Sequence, residues 1–180
     1  MYYTYEDIIK KYKNDYQLKK AIDRGEINKI KAGLYSDGET LFTVPEAFIK
    51  RSDTILTLQS AFYYHNISDY IPKYIYLATP KNAYPIQNPG IKQIFMSNKY
   101  HSIGVETGEM GQVTIRVYDL ERTLIELIRY ETKIPFEEYH HVLNGFRKKR
   151  NDLNFNKLMS YVKQFKSYKK IMKVIQYSII

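Results

Sequence analysis

The chain contains no cysteine. That single absence excludes disulfide staples, thiolate zinc sites and cysteine nucleophiles, and it fits a reducing compartment. No apolar run approaches the roughly 20 residues that a membrane span requires. The opening Met1-Tyr2-Tyr3-Thr4-Tyr5-Glu6-Asp7 has no basic stretch followed by an apolar one, so neither a signal peptide nor membrane association is expected, and the expected location is cytoplasmic. There is no Gly-rich phosphate loop. Gly104, Gly108 and Gly111 lack the spacing and helix context of a nucleotide fingerprint, and no cofactor is expected. Internal repeats and low-complexity segments are absent too.

What is present is enough apolar material for a core and an uneven charge. Of the 180 residues, 44% are hydrophobic and 15% aromatic, the composition of a folded protein. Residues 1–138 carry 18 Lys/Arg against 18 Asp/Glu, so the whole net charge of +9 arises in residues 139–180, with 10 Lys/Arg against the single Asp152. A polycation of this kind favours nucleic acid or another polyanion. Lysine outnumbers arginine 21 to 7, which reads equally well as the codon bias of an AT-rich genome.

Local patterns predict an α+β protein. It has a winged-helix-like head over residues 1–45, then a domain over 46–180 with a mixed sheet followed by a helical bundle. Thr4, with Asp7 three residues on, caps a first helix carrying Ile8, Ile9 and Tyr12. Asp15 is placed to cap a second, from about Tyr16 to Arg24, with Leu18, Ala21 and Ile22 inward and Gly25 as its exit. Ile27, Ile30 and Leu34-Tyr35, split by Lys31-Ala32-Gly33, predict a hairpin. A short helical piece is expected at 44–49. A longer helix is expected from Thr54 to Tyr64, on the stripe Ile55, Leu58 and Phe62, with a left-handed exit at Asn66. Strands are expected at 74–78, 91–96, 103–106 and 113–117, and helices from Asp119 onwards.

Two helices followed by a hairpin can present the second helix to the DNA major groove, its N-terminal residues at base edges. Those residues are Tyr16, Gln17, Lys19 and Lys20. Glutamine can pair bidentately with adenine, and lysine reaches guanine or phosphate. Arg24, Lys29 and Lys31 are candidates for phosphate contacts that position the protein without reading sequence. A plain solvated helix face accounts for the same residues. A second basic surface is expected at Arg147, Lys148, Lys149 and Arg150, extended by Lys157, Lys163, Lys166, Lys169, Lys170 and Lys173.

Three segments carry a resemblance to a known family. They are Ala21-Ile22-Asp23-Arg24-Gly25-Glu26-Ile27 with Ile30-Lys31-Ala32-Gly33-Leu34-Tyr35, then Ser60-Ala61-Phe62-Tyr63-Tyr64-His65-Asn66-Ile67-Ser68-Asp69 with Pro72, then Val117-Tyr118-Asp119-Leu120-Glu121-Arg122-Thr123-Leu124. In this order they resemble the AbiEi family, the DNA-binding antitoxins and repressors of type IV toxin–antitoxin systems. The resemblance implies a winged helix that binds operator inverted repeats in double-stranded DNA. It also implies a C-terminal antitoxin domain countering a nucleotidyltransferase-like toxin without a stable complex, and a monomer or weak dimer. The head departs from the family in showing two helices where three are usual.

Rival readings remain. One is a stand-alone winged-helix regulator with no toxin. Another is a metal-dependent nucleic-acid-processing enzyme built on Asp119 and Glu121, and a third is a protein-interaction module. Against the second, Asp119 as N-cap, Glu121 in the first turn and Arg122 paired with Glu126 explain that motif as structure, with no catalytic residue and no metal expected. His65 with Asp69 reads as capping or packing, and the adjacent His140 and His141 point to different helix faces.

Overall fold

The computed structural model describes residues 2–37, 51–110 and 113–179. The chain is mixed α+β, with two sheets among the described residues. The helical piece expected at 44–49 and the domain boundary expected at 45/46 lie outside the described residues.

The head comprises β1 (Tyr2–Thr4), α1 (Tyr5–Tyr12), α2 (Asp15–Asp23), β2 (Asn28–Lys31) and β3 (Leu34–Ser36). Thr4 caps α1 through the Asp7 amide, as expected. The cap of α2 is Asn14, one residue before the expected Asp15. Asp15 instead accepts a hydrogen bond from the Tyr5 hydroxyl at 2.8 Å, tying the starts of the two helices together. Arg24 ends α2, and Gly25 follows with φ +73°, the left-handed exit that glycine adopts without steric cost. The hairpin β2–β3 turns through Ala32-Gly33 and is antiparallel. β1 adds on the far side of β3, giving the order β1-β3-β2. Ile8, Leu18, Ala21, Ile27 and Tyr35 close a core of their own beneath this sheet. At its rim, the Tyr3 hydroxyl donates to Asp37 at 2.7 Å, and the Lys11 ammonium lies 4.9 Å from the Tyr3 ring centre.

The second unit is built on a five-stranded mixed sheet, in the order β6-β5-β4-β8-β7. Its strands are β4 (Ile55–Leu56), β5 (Ile75–Pro80), β6 (Ile91–Met96), β7 (Val105–Met110) and β8 (Val113–Tyr118). Neighbouring residues go to opposite sides, the two-residue period of a pleated strand. Leu56, Leu77 and Val117 join one cluster, while Ile55, Ala78 and Tyr118 join another. Here the structure departs from the sequence reading. Ile55 and Leu56 form the central strand, not the first turn of a helix, and α3 spans only Leu58–Tyr64. Ile55, Leu58 and Phe62 are all buried, and burial on both faces of a two-residue strand mimics a helical stripe.

The helices that follow are α4 (Asn98–His101), α5 (Leu120–Arg129), α6 (Phe136–Lys148), α7 (Phe155–Val162) and α8 (Tyr168–Ser178). Together with α3 they enclose the largest cluster, which includes Phe62, Leu124, Leu127, Phe146, Leu158 and Ile171. Gly145, inside α6, has a packing reason for being glycine. A Cβ there would sit 2.1 Å from the Ile67 carbonyl oxygen, so α6 reaches the turn after α3 only because it lacks a side chain at that point. Gly145→Ala is expected to destabilise the protein by about 1–3 kcal/mol through overpacking, even though alanine favours an isolated helix. Urea unfolding is the check, and an unshifted or raised midpoint would contradict this packing role.

Candidate nucleic-acid interface

Leu18 and Ala21 anchor α2 to the head core, which turns the opposite side of the helix to solvent. Tyr16, Gln17, Lys19 and Lys20 are all exposed there, with Tyr16 at 64%. At 100° per residue, positions 16, 17, 20 and 24 fall on one stripe. The Lys20 ammonium lies 4.7 Å from the Tyr16 ring centre, a cation–π contact across one helical turn. Among the described residues, the Gln17 and Lys19 side chains make no hydrogen bond or ion pair. Asn14 accepts the Gln17 amide at 3.0 Å and fixes the start of the stripe.

The flanking cations differ from one another. Arg24 is exposed but pairs with Glu26 at 3.1 Å, so its charge is partly balanced. Lys29 is exposed and sits opposite Tyr35 in the hairpin register. Lys31 belongs to β2, and its side chain lies outside the described residues.

The basic C-terminal quarter is less uniform than its sequence implies. Arg147 donates to the Ser178 carbonyl at the end of α8 and to Asn144 at 2.8 Å. Lys149 is half-buried and donates to the His65 carbonyl at 2.9 Å. Lys170 pairs with Glu131 at 2.7 Å. Lys148 and Arg150 are exposed, as are Lys163, Lys166, Lys169 and Lys173. Of the ten cations expected on this surface, Arg147, Lys149 and Lys170 thus meet partners within the protein, and so does Lys157.

Lys157 pairs with the Asp119-Leu120-Glu121-Arg122 segment, whose polar side chains are buried. Asp119 caps α5 by accepting the Arg122 amide at 2.8 Å, and its other oxygen takes the Tyr161 hydroxyl at 3.0 Å and the Lys157 ammonium at 3.1 Å. Glu121 accepts the Asn154 amide at 2.8 Å and pairs with Lys157 at 3.2 Å. All four carboxylate oxygens thus face protein donors. Burial alone pulls the Lys157 pKa down, but Asp119 and Glu121 outweigh it and the net shift is upward. Burial, then Asp119, pushes the Tyr161 phenol up to about 12.

Arg122 is fully buried. Its guanidinium donates to Glu126 at 2.9 Å and to the carbonyls of Tyr100 at 2.7 Å and Ile103 at 3.0 Å, and it stacks 4.3 Å from the Tyr118 ring centre. The pairing with Glu126 is as the sequence motif implies, and the structure adds the two backbone carbonyls. Lys157, Tyr161 and Asn154 are additions from a distant helix that no local pattern announces. Gly104 makes room for this centre, since a Cβ there would lie 2.6 Å from that of Arg122.

The histidines take separate roles. His65 Nε2 meets the Tyr118 carbonyl at 2.7 Å, while Asp69 pairs with His141 at 3.0 Å, not with His65. His140 packs against Phe136 and His141 against Tyr70. Among the described residues, no group of three or more His, Asp or Glu converges on a metal position, and no helix is long and apolar enough to cross a membrane.

His101 was not singled out by the sequence. It is 8% exposed, and its Nε2 has no partner among the described residues. Burial holds its pKa below the ordinary histidine value, and the Arg116 charge acts the same way. The fold therefore favours the neutral ring. Its contribution to stability is complete above the unfolded value of about 6.5 and is lost as pH falls below that towards the folded value. The melting temperature should drop on going from pH 7 to pH 5, and His101→Gln should flatten that slope. An equal slope in the variant would show that His101 is not responsible.

Compared with models of known protein families, the chain matches none, and a comparison with curated proteins also returns no match.

Proposed function

We propose that the protein is a DNA-binding antitoxin and autorepressor of a type IV toxin–antitoxin system, countering a nucleotidyltransferase-fold toxin encoded beside it. One observation carries the DNA-binding half. A helix capped by Asn14 turns Gln17, Lys19 and Lys20 to solvent and is followed by an antiparallel hairpin bearing Lys29. We read this as a winged-helix layout, with α2 as recognition helix and β2–β3 as wing. β1 adds the third strand of the small sheet, which supports the same reading although only two helices precede the hairpin.

The antitoxin half rests on the resemblance to the AbiEi family. The dense bonding of Asp119, Glu121 and Arg122 supports it by giving the family-like motif a structural role. That bonding also weighs against the metal-dependent enzyme, because neither carboxylate is left open to a cation. Co-expression with the adjacent reading frame is the test. Rescue of growth from a toxic neighbour supports the antitoxin. No rescue, with operator repression intact, would favour the stand-alone regulator.

A further inference from the structure

Helix α6 borders two neighbouring concavities along one of its faces. Near its start, Glu138 lines a pocket of about 240 Å³ together with Gln59, Tyr70, Tyr74 and Tyr76. Further along, His141, Asn144 and Lys148 line a groove of about 570 Å³ that also includes Arg147 and Lys149. Tyr70 of the first is stacked on His141 of the second, with ring centres 4.2 Å apart and planes 12° from parallel. Positions 138, 141, 145 and 148 fall on one helix face, and they span about 15 Å at 1.5 Å per residue.

The two ends differ in chemistry. The pocket is walled by tyrosines and holds a buried Gln59 carboxamide oxygen that accepts no hydrogen bond among the described residues. Burial raises the Glu138 pKa above the ordinary carboxylate value, against a hydrogen bond to Gln59 and the charge of His141. A carboxyl and an unpartnered carboxamide oxygen beside aromatic faces suit a flat heterocycle with amide or amino donors on its edge. The groove is cationic. Arg147 is held by Asn144 at 2.8 Å, Lys149 is held by the His65 carbonyl, and Lys148 is exposed. The groove's carboxylate, Asp69, is engaged by His141 at 3.0 Å. Arg147, Lys148 and Lys149 all border the groove, and a groove edged by cations suits phosphate, with the exposed Lys148 as its direct contact.

We propose that this face of α6 binds a nucleotide unit, with the base in the tyrosine pocket and the phosphate in the basic groove. The source is a free nucleotide or the unpaired end of a nucleic-acid strand. The site lies outside the head and does not depend on the DNA-binding reading of α2.

The test is calorimetric titration of the full chain with ATP, GTP, CTP and UTP, with 5′-phosphorylated RNA and DNA hexamers, and with inorganic pyrophosphate. Saturable binding to at least one base-bearing ligand is expected. Tyr70 is 55% exposed, so Tyr70→Ala should leave the fold intact. It should weaken binding about fivefold or more, the usual cost of losing a stacked base. Lys148→Ala should weaken the phosphorylated ligand but leave the matching nucleoside unchanged. Tighter binding of a mononucleotide identifies a small-molecule ligand, and tighter binding of a hexamer identifies a strand end. No saturable binding to any of them would overturn the site, as would pyrophosphate binding that equals the best ligand and ignores Tyr70→Ala.

Discussion

Replacing Arg122 with methionine is expected to cost about 3–5 kcal/mol, the usual penalty for breaking a buried ion pair from one side. The side chain is fully buried and its partner Glu126 is equally inaccessible. Removal strips Glu126 of one of two guanidinium partners, leaving Arg129. The second Glu126 oxygen has no partner among the described residues even in the intact protein. The carbonyls of Tyr100 and Ile103 lose their donor in the same step. For a chain of this length such a loss lowers the melting temperature by roughly 10 °C or more. Arg122→Lys should recover little, because an ammonium cannot reproduce the planar fork that reaches a carboxylate and two carbonyls together. Calorimetry settles the matter, and a variant melting within 2 °C or so of the parent would show that this centre is not what joins α5 to the sheet.

The second large effect concerns DNA. Changing Tyr16, Gln17, Lys19 and Lys20 together to alanine should leave stability nearly untouched, because all four are exposed. Affinity for the upstream DNA of the protein's own gene should fall 100-fold or more, since a base contact is worth about 1–3 kcal/mol and phosphate contacts add to it. The single changes should separate in kind. Gln17→Ala should relax the sequence preference, while Lys19→Ala should weaken all duplexes alike and reduce the salt slope by about one. Anisotropy measured across a salt series distinguishes them. A quadruple variant that binds like the parent would remove α2 from the interface.

The sequence disclosed helix caps and left-handed turns better than strands, because those signals are local; β1 went unannounced. Thr4, Asn66 and Asp119 sit where their caps or left-handed turns occur, and Gly25 and Gly33 both have positive φ. It disclosed less of the sheet. The central strand, Ile55–Leu56, is two residues long and buried on both sides, so it carries neither alternation nor length. β7 runs over Val105–Met110, where only a fragment at 103–106 is expected, because Glu106, Gly108 and Glu109 have little strand character.

The site divides in the same way. The α2 stripe follows from helix periodicity. The partners of Asp119 and Glu121 come from residues 154–161, and the groove beside α6 is completed by residues 66–69. Such pairings between distant segments leave no periodic trace. In the basic tail, charge alone does not show that Arg147, Lys149, Lys157 and Lys170 meet partners within the protein.

The absence of cysteine allows the place of α2 on DNA to be mapped chemically. Gln17→Cys introduces the only thiol, to which an iron–EDTA cleavage reagent can be attached, and the conjugate is bound to the duplex upstream of the gene. If α2 lies in the major groove, strand cuts should cluster within a few base pairs at each half-site and disappear when the duplex is scrambled. Cuts that are diffuse or missing from position 17 while the chain remains bound, or that arise only when the reagent is moved to Asn156→Cys on α7, would contradict it.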